Sequence, residues 1–152
     1  MTASVAIVMG SRSDLEHARK IAASLKEFGI SSEMRVASAH KTPAVVLKLA
    51  KELEKKNSVV IAVAGLSNAL SGMLAGVSTV PVITCPPNAD DILSSLRMPS
   101  GIAHATVLGA GNAALFAAKI IGRTDAKVRK KVAQALAENA RRVEGADREL
   151  RA

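Results

Sequence analysis

The sequence has no tryptophan, no tyrosine and only two phenylalanines. A core with so few rings must be filled by Val, Ile, Leu and Ala, the side chains of parallel sheets covered by small-residue helices. The same scarcity leaves little for nucleic-acid bases to stack on. Cysteine is nearly absent. The single Cys85 excludes an internal disulfide framework and any multi-cysteine metal site. It lies in the apolar run Val82-Ile83-Thr84-Cys85, where a free thiol behaves as a small hydrophobe. A lone cysteine suits a reducing compartment, so the cytoplasm is the expected location. Met1-Thr2-Ala3-Ser4 lacks the charged and apolar regions of a secretory signal. A clean hydrophobic run is missing too. Asn57 to Ala89 carries no charge, but Gly65, Asn68, Ser71, Gly72, Gly76, Pro81 and Pro86-Pro87 interrupt it. A membrane span needs about 20 consecutive apolar residues, so the chain is expected to be soluble, with no membrane partner.

Positive charge is present in excess, at a formal +8. Much of it lies late in the chain, at Arg123, Lys127, Arg129, Lys130, Lys131, Arg141 and Arg142. Such a surplus raises nucleic acid as a partner. No zinc-finger or basic-zipper pattern accompanies it, and a solvated basic helix is the simpler reading. No nucleic-acid partner is expected. A basic surface would still draw in a phosphorylated substrate. At 152 residues, 49% hydrophobic and 22% charged, the chain fits one globular domain over 1–152. Its parts are an α/β core over 1–122 and a C-terminal helix over 123–152.

Val5 to Met9 is an apolar run stopped by Gly10 and reads as a fully buried strand. From Asp14 to Phe28 the residues Leu15, Ala18, Ile21, Ala22 and Leu25 recur at helical spacing, and Gly29 supplies a C-cap. Ser32 to Ala37 is a second strand. Thr42-Pro43 opens a helix whose buried face is Val46, Leu49, Ala50 and Leu53. Strands then follow at Val59 to Val63, Val80 to Thr84 and Ala105 to Leu108, with helices at Ala69 to Ala75 and Ala113 to Ile121. Alternation of this kind predicts right-handed β-α-β units. The expected fold is a three-layer α/β/α sandwich with a flavodoxin-like parallel sheet and a site at the carboxyl ends of the strands. Asp125 to Leu150 reads as one long helix with Val128, Val132, Leu136 and Val143 on one stripe. Past the last strand it has little core of its own to cover, so it is expected at a subunit interface.

Three segments end on that carboxyl rim. Gly10-Ser11-Arg12-Ser13-Asp14 joins a strand to a helix, and backbone N–H groups with two hydroxyls there suit a phosphate. Asp14 would repel a phosphate and is better matched to ribose hydroxyls. An ordinary capped turn explains the same residues equally well. Ser38-Ala39-His40-Lys41 follows the second strand. Lys41 offers a cation, and His40 is a candidate proton carrier near neutral pH, although a lone loop histidine is more often structural. His17 and His104 show no comparable company. Gly65 to Met73 follows the third strand, and its small residues allow close approach of a planar ligand or simply a tight turn. Gly109-Ala110-Gly111-Asn112-Ala113-Ala114 matches G-x-G-x-x-A, but no second strand with a terminal acid follows about 20 residues on, so no dinucleotide site is expected. Asp90-Asp91 reads as a solvated acidic pair.

Taken in order, M-G-S-R-S-D from Met9, S-A-H-K-T-P from Ser38, A-V-A-G-L-S-N-A-L-S-G-M from Ala62, C-P-P from Cys85, S-S-L-R-M-P-S-G from Ser94 and N-A-A-L from Asn112 closely resemble the phosphoribosylaminoimidazole carboxylase family of purine biosynthesis. The resemblance runs from about residue 5 to 122. Lys41, Ser67-Asn68 and the Ser94–Gly101 run resemble the branch that uses free carbon dioxide. The N5-carboxyaminoimidazole ribonucleotide mutase branch usually has Arg after S-A-H and His where this chain has Ala69. Leu66 departs from the carbon-dioxide branch, which often has Arg there. The resemblance implies that Ser11, Ser13 and Lys41 hold a 5′-phosphate and Asp14 the ribose. It gives Ser38, Gly65 and Ser67 contacts to the nucleotide, and His40 the proton transfer. It implies a ribonucleotide and carbon dioxide as substrates, no metal or other cofactor, and a homo-tetramer or homo-octamer. Three alternatives stand beside it: the mutase, a non-catalytic nucleotide-binding module, and a basic nucleic-acid binder.

Overall fold

The computed structural model describes residues 4–151. Strands and helices alternate as β1 (Ser4–Met9), α1 (Leu15–Glu27), β2 (Ser31–Val36), α2 (Pro43–Lys55), β3 (Val59–Val63), α3 (Leu70–Val77), β4 (Val82–Thr84), α4 (Leu93–Leu96), β5 (Ala105–Thr106), α5 (Ala110–Ile121) and α6 (Ala126–Leu150). The five strands are parallel in the order β2-β1-β3-β4-β5, the flavodoxin-like arrangement.

Central strands in such a sheet are covered on both faces and need apolar residues at every position. Val5 to Met9 and Val59 to Val63 are accordingly all buried. Their side chains alternate between the two faces. On one face Ile7, Ile61 and Ile83 sit in register across three strands, under Ile21 and Leu25 of α1 and Ala114, Ala117 and Ala118 of α5. On the other, Ala6, Val8, Val60 and Ala62 meet Val46, Leu49 and Leu53 of α2 and Leu70 and Leu74 of α3. Each fully buried isoleucine or leucine contributes about 1.5–3 kcal/mol, so these two layers carry most of the stability. The face expected for α2 is the one that is buried.

The element boundaries differ from the sequence reading in ways that have local causes. Arg12–Asp14 forms a single 3-10 turn before α1, so Asp14 precedes the helix and does not open it. Gly29, at φ 74°, occupies the left-handed position after α1. Its N–H donates to Lys26 O and the Ile30 N–H to Leu25 O, closing the helix end. β5 is two residues long and pairs on one side only. Gly109, at φ 85°, turns the chain early, and α5 starts at Ala110 where Ala113 was expected. The short α4 was not anticipated, because four residues show no helical period.

Asp125 caps α6, its carboxylate accepting from Lys127 N (2.8 Å) and Val128 N (3.1 Å). Of the apolar stripe, Val128 and Val132 are buried, while Leu136 is 44% and Val143 72% exposed. The near half of the stripe therefore finds cover within the chain and the far half does not. No helix among the described residues is long and apolar enough to cross a membrane.

Candidate active site

The roots of three loops are tied side by side. Gly10 N donates to Val63 O and Ala37 N to Met9 O, both at 2.9 Å, which continues the parallel ladder one step past β1, β2 and β3. The loops that leave these roots enclose a cleft of about 540 Å³ at the carboxyl rim, a size suited to a small-molecule ligand. It opens between β1 and β3, where the strand order reverses and such folds bind ligands.

The first loop brings Ser11, Ser13 and Asp14 to this cleft. Ser11 is the cap of the 3-10 turn, its hydroxyl accepting from Ser13 N at 3.3 Å. The second loop brings Ser38, His40 and Lys41. Its shape is set by Thr42: the Thr42 hydroxyl accepts from Ser38 N (3.0 Å) and donates to Ser38 O (3.2 Å), while Lys41 N donates to Ser38 Oγ (3.2 Å). Thr42 does stand at the N-cap with Pro43 in the first turn, but its side chain ties the loop and makes no cap bond to the helix; its carbonyl accepts from Val45 N and Val46 N instead. His40 and Lys41 are exposed at the mouth, with functional groups free to meet a ligand.

The third loop contributes Gly65 and Ser67. Gly65 needs to be glycine here for reasons of distance. A Cβ at this position would lie 3.2 Å from Asp14 Oδ1 and 3.2 Å from Pro87 Cγ. The first, third and fourth loops thus meet at this residue. Leu66 stands beside it, 82% exposed at the rim. All eight residues singled out in the sequence (Ser11, Ser13, Asp14, Ser38, His40, Lys41, Gly65 and Ser67) line the one cleft. Sequence reasoning missed Pro87 and Asn88, which complete the wall after β4. Their only signal was the C-P-P run.

The electrostatics are uneven. Asp14 is 9% exposed, and burial pushes its carboxyl up from the ordinary value, opposed by the Ser11 backbone and nearby His17. His17 is pushed down, chiefly by burial and then by Lys20, with Asp14 and Cys85 pulling the other way. Its Nε2 lies 3.3 Å from Cys85 Sγ. Burial pushes the Cys85 thiol up to about 11, so at neutral pH it is a protonated core residue, as its apolar run indicated. Asp90 and Asp91 are solvated. Among the described residues no group of three His, Cys, Asp or Glu side chains is placed to hold a metal ion.

His17 and His104 both have company that the sequence did not reveal. His17 sits beside Asp14 and Cys85. His104 Nε2 is 3.2 Å from Ser71 Oγ, at the edge of a buried polar cluster formed with Asn68, Thr84 and Ser95. These residues come from separate elements and share no sequence pattern.

Comparison with known proteins places this architecture. The AIR carboxylase family model matches residues 4–142. The phosphoribosylaminoimidazole carboxylase of Archaeoglobus fulgidus is 51% identical over 150 residues, covering 95% of this chain and 83% of the relative. That of Treponema denticola is 45% identical over 154 residues, covering 97% of each. The crystal structure of Treponema denticola PurE superposes with a TM-score of 0.95 at 44% identity, over 99% of both chains. With the family model spanning nearly the whole chain and the rim loops arranged as described, this chain belongs to the AIR carboxylase family of purine biosynthesis.

Proposed function

We propose that the chain carboxylates 5-aminoimidazole ribonucleotide with carbon dioxide, reversibly, to give the 4-carboxy nucleotide. The observation that carries the reading is the meeting of an exposed imidazole, a lysine, several hydroxyls and a buried carboxylate in one nucleotide-sized cleft of an AIR carboxylase family chain. Ser11, Ser13 and Lys41 take the 5′-phosphate, and Asp14 accepts hydrogen bonds from the ribose. Ser38, Gly65 and Ser67 orient the ring, and His40 moves the proton.

The chemistry needs no more than this. An aminoimidazole is an enamine, so its ring carbon C4 is already a nucleophile. Its electron pair forms the new bond to the carbon of carbon dioxide, whose oxygens take up the displaced pair as a carboxylate. C4 is then tetrahedral and still holds its hydrogen. His40, as neutral imidazole, removes that proton, and the C–H electron pair restores the aromatic ring. In reverse, imidazolium returns the proton to C4 and carbon dioxide departs. Ring orientation by the third loop serves the step by holding C4 against the imidazole.

The reading is tested by supplying aminoimidazole ribonucleotide with bicarbonate-equilibrated carbon dioxide and no ATP. Formation of the 4-carboxy nucleotide is expected. Turnover of the N5-carboxy nucleotide alone would overturn the reading in favour of the mutase. The same reading includes a homo-tetramer or homo-octamer in the cytoplasm, supported by the uncovered Leu136 and Val143 on α6 and by Val36, 55% exposed on edge strand β2. Light scattering at micromolar protein is expected to give four or eight chain masses, and a monomer would refute assembly.

A further inference from the structure

Behind the third loop lies a polar cluster that substrate binding does not explain. Asn68 separates Ser67 and Ala69, both on the cleft wall, yet its own side chain turns inward and is 3% exposed. Its amide nitrogen lies 2.8 Å from Ser71 Oγ, 2.7 Å from Thr84 Oγ1 and 3.0 Å from Ser95 Oγ. Its carbonyl accepts from Ser71 N at 3.2 Å, and its backbone N–H donates to Ser94 Oγ at 2.9 Å. Three elements, α3, β4 and α4, therefore converge on one residue of the loop. The segment from Ser94 is itself clamped on α3. A Cβ on Gly72 would come within 3.0 Å of Met98 Sδ, and one on Gly76 within 3.0 Å of Ile102 Cδ1.

Proton bookkeeping gives this cluster a direction. An amide nitrogen donates and does not accept, so the protons of the three hydroxyls around it must point away from that nitrogen. For Ser71 the partner on the far side is His104 Nε2 at 3.2 Å. Nε2 can accept that proton only in the neutral imidazole with its hydrogen on Nδ1. Nδ1 is buried and makes no well-aligned hydrogen bond among the described residues, with only the Ala105 backbone acting on the ring from nearby.

We propose that His104 is a positioning residue for the carboxylation: as acceptor for the Ser71 hydroxyl it fixes the orientation of the Asn68 cluster, and through it the seat of Ser67 and Gly65 against the nucleotide. The proposal rests on reading the cleft as the carboxylation site. His104 is not among the residues that line the cleft. Burial also pushes its titration downward, against the opposing pull of the Ala105 backbone, and so favours the neutral imidazole this role requires.

The test compares His104→Gln, whose amide oxygen can accept in place of Nε2, with His104→Leu, which cannot accept. In His104→Leu the turnover number is expected to fall about 10- to 100-fold, the effect of a buried hydroxyl left unpaired. The KM for the nucleotide changes little, since the phosphate loops hang from other strands. His104→Gln is expected to recover turnover to within about threefold. A purely structural role would lower the melting temperature of both variants and leave turnover of the folded fraction unchanged, and that result overturns the proposal. Should His104→Leu not fold, ¹⁵N shifts of the wild-type imidazole decide. A bare Nε2 is expected, and a protonated Nε2 refutes the assignment. Wild-type inactivity on carbon dioxide and aminoimidazole ribonucleotide would instead refute the reading of the cleft, whatever the tautomer.

Discussion

Replacing Gly122 by alanine sets two known effects against each other. Gly122 ends α5 at φ −62° and ψ −10°, a conformation that alanine adopts freely. Considered as a backbone position alone, Gly122→Ala should stabilise the fold by about 0.4–1 kcal/mol through the unfolded chain. The neighbours reverse the sign. A Cβ there would meet Ala118 O at 3.0 Å, Arg129 Cα at 3.2 Å and Arg129 N at 3.3 Å. All three are backbone atoms of α5 and α6 and cannot swing aside as a side-chain tip would. Forcing helices apart at such a contact costs about 1–3 kcal/mol. The shift also strains the bond from Arg129 Nη1 to Gly122 O, 3.0 Å long, which contributes about 0.5–1.5 kcal/mol. The net expectation is a loss near 2 kcal/mol, or a melting temperature lower by about 4–8 °C for a domain of this size. Calorimetry at one fixed protein concentration measures it, because assembly would make the melting temperature concentration-dependent. Nucleotide binding at 25 °C should be unaltered, since the junction lies away from the cleft. A variant that melts at or above the parent temperature would refute the close-contact argument.

Other outcomes follow from the site. His40→Asn should retain nucleotide affinity and melting temperature but lose turnover by about 10²–10⁴, the usual contribution of an acid–base group; full activity would remove His40 from the mechanism. Asp14→Asn should raise the melting temperature at neutral pH. Burial raises the folded-state titration of Asp14, so the native chain holds this proton more tightly than the unfolded one. Its contribution to stability therefore falls as pH rises between the unfolded and folded titrations, and the benefit of Asn should vanish in acid. The same variant should weaken nucleotide binding by about 10- to 100-fold if the carboxylate holds the ribose, and unchanged affinity in titration calorimetry would exclude that role. Cys85, buried with its thiol near 11, should react with a disulfide reagent at pH 8 about 100-fold more slowly in the native chain than in denaturant. Prompt native labelling would contradict its burial.

What could be read in advance follows the range over which each signal acts. Val59 to Val63 is legible because a strand covered on both faces must be apolar throughout, and Val46, Leu49 and Leu53 because one helix face writes its own period. The three cleft loops were legible because they follow strand ends, and parallel order sends those ends to one rim; Gly65 and Ser67 within them were singled out by the family resemblance. Thr42 was half legible: its position at the helix start was evident, but its hydroxyl serves Ser38, a choice made by loop geometry. α4, Asn88 and the partners of His104 were not legible. Ser71, Thr84 and Ser95 reach Asn68 from three elements up to 27 residues away in the chain, and no local pattern encodes a hydrogen bond across that span. His104 looked isolated for the same reason that it matters.

Each wall of the cleft hangs from a different strand, so the whole pocket exists only when those strands are assembled. On the proposed reading the nucleotide would grip only the completed sheet, and at saturating levels it should stabilise the domain in proportion to the logarithm of its concentration. Starving a cell of this metabolite would then expose the polypeptide to proteolysis, linking supply of the precursor to survival of the catalyst that consumes it.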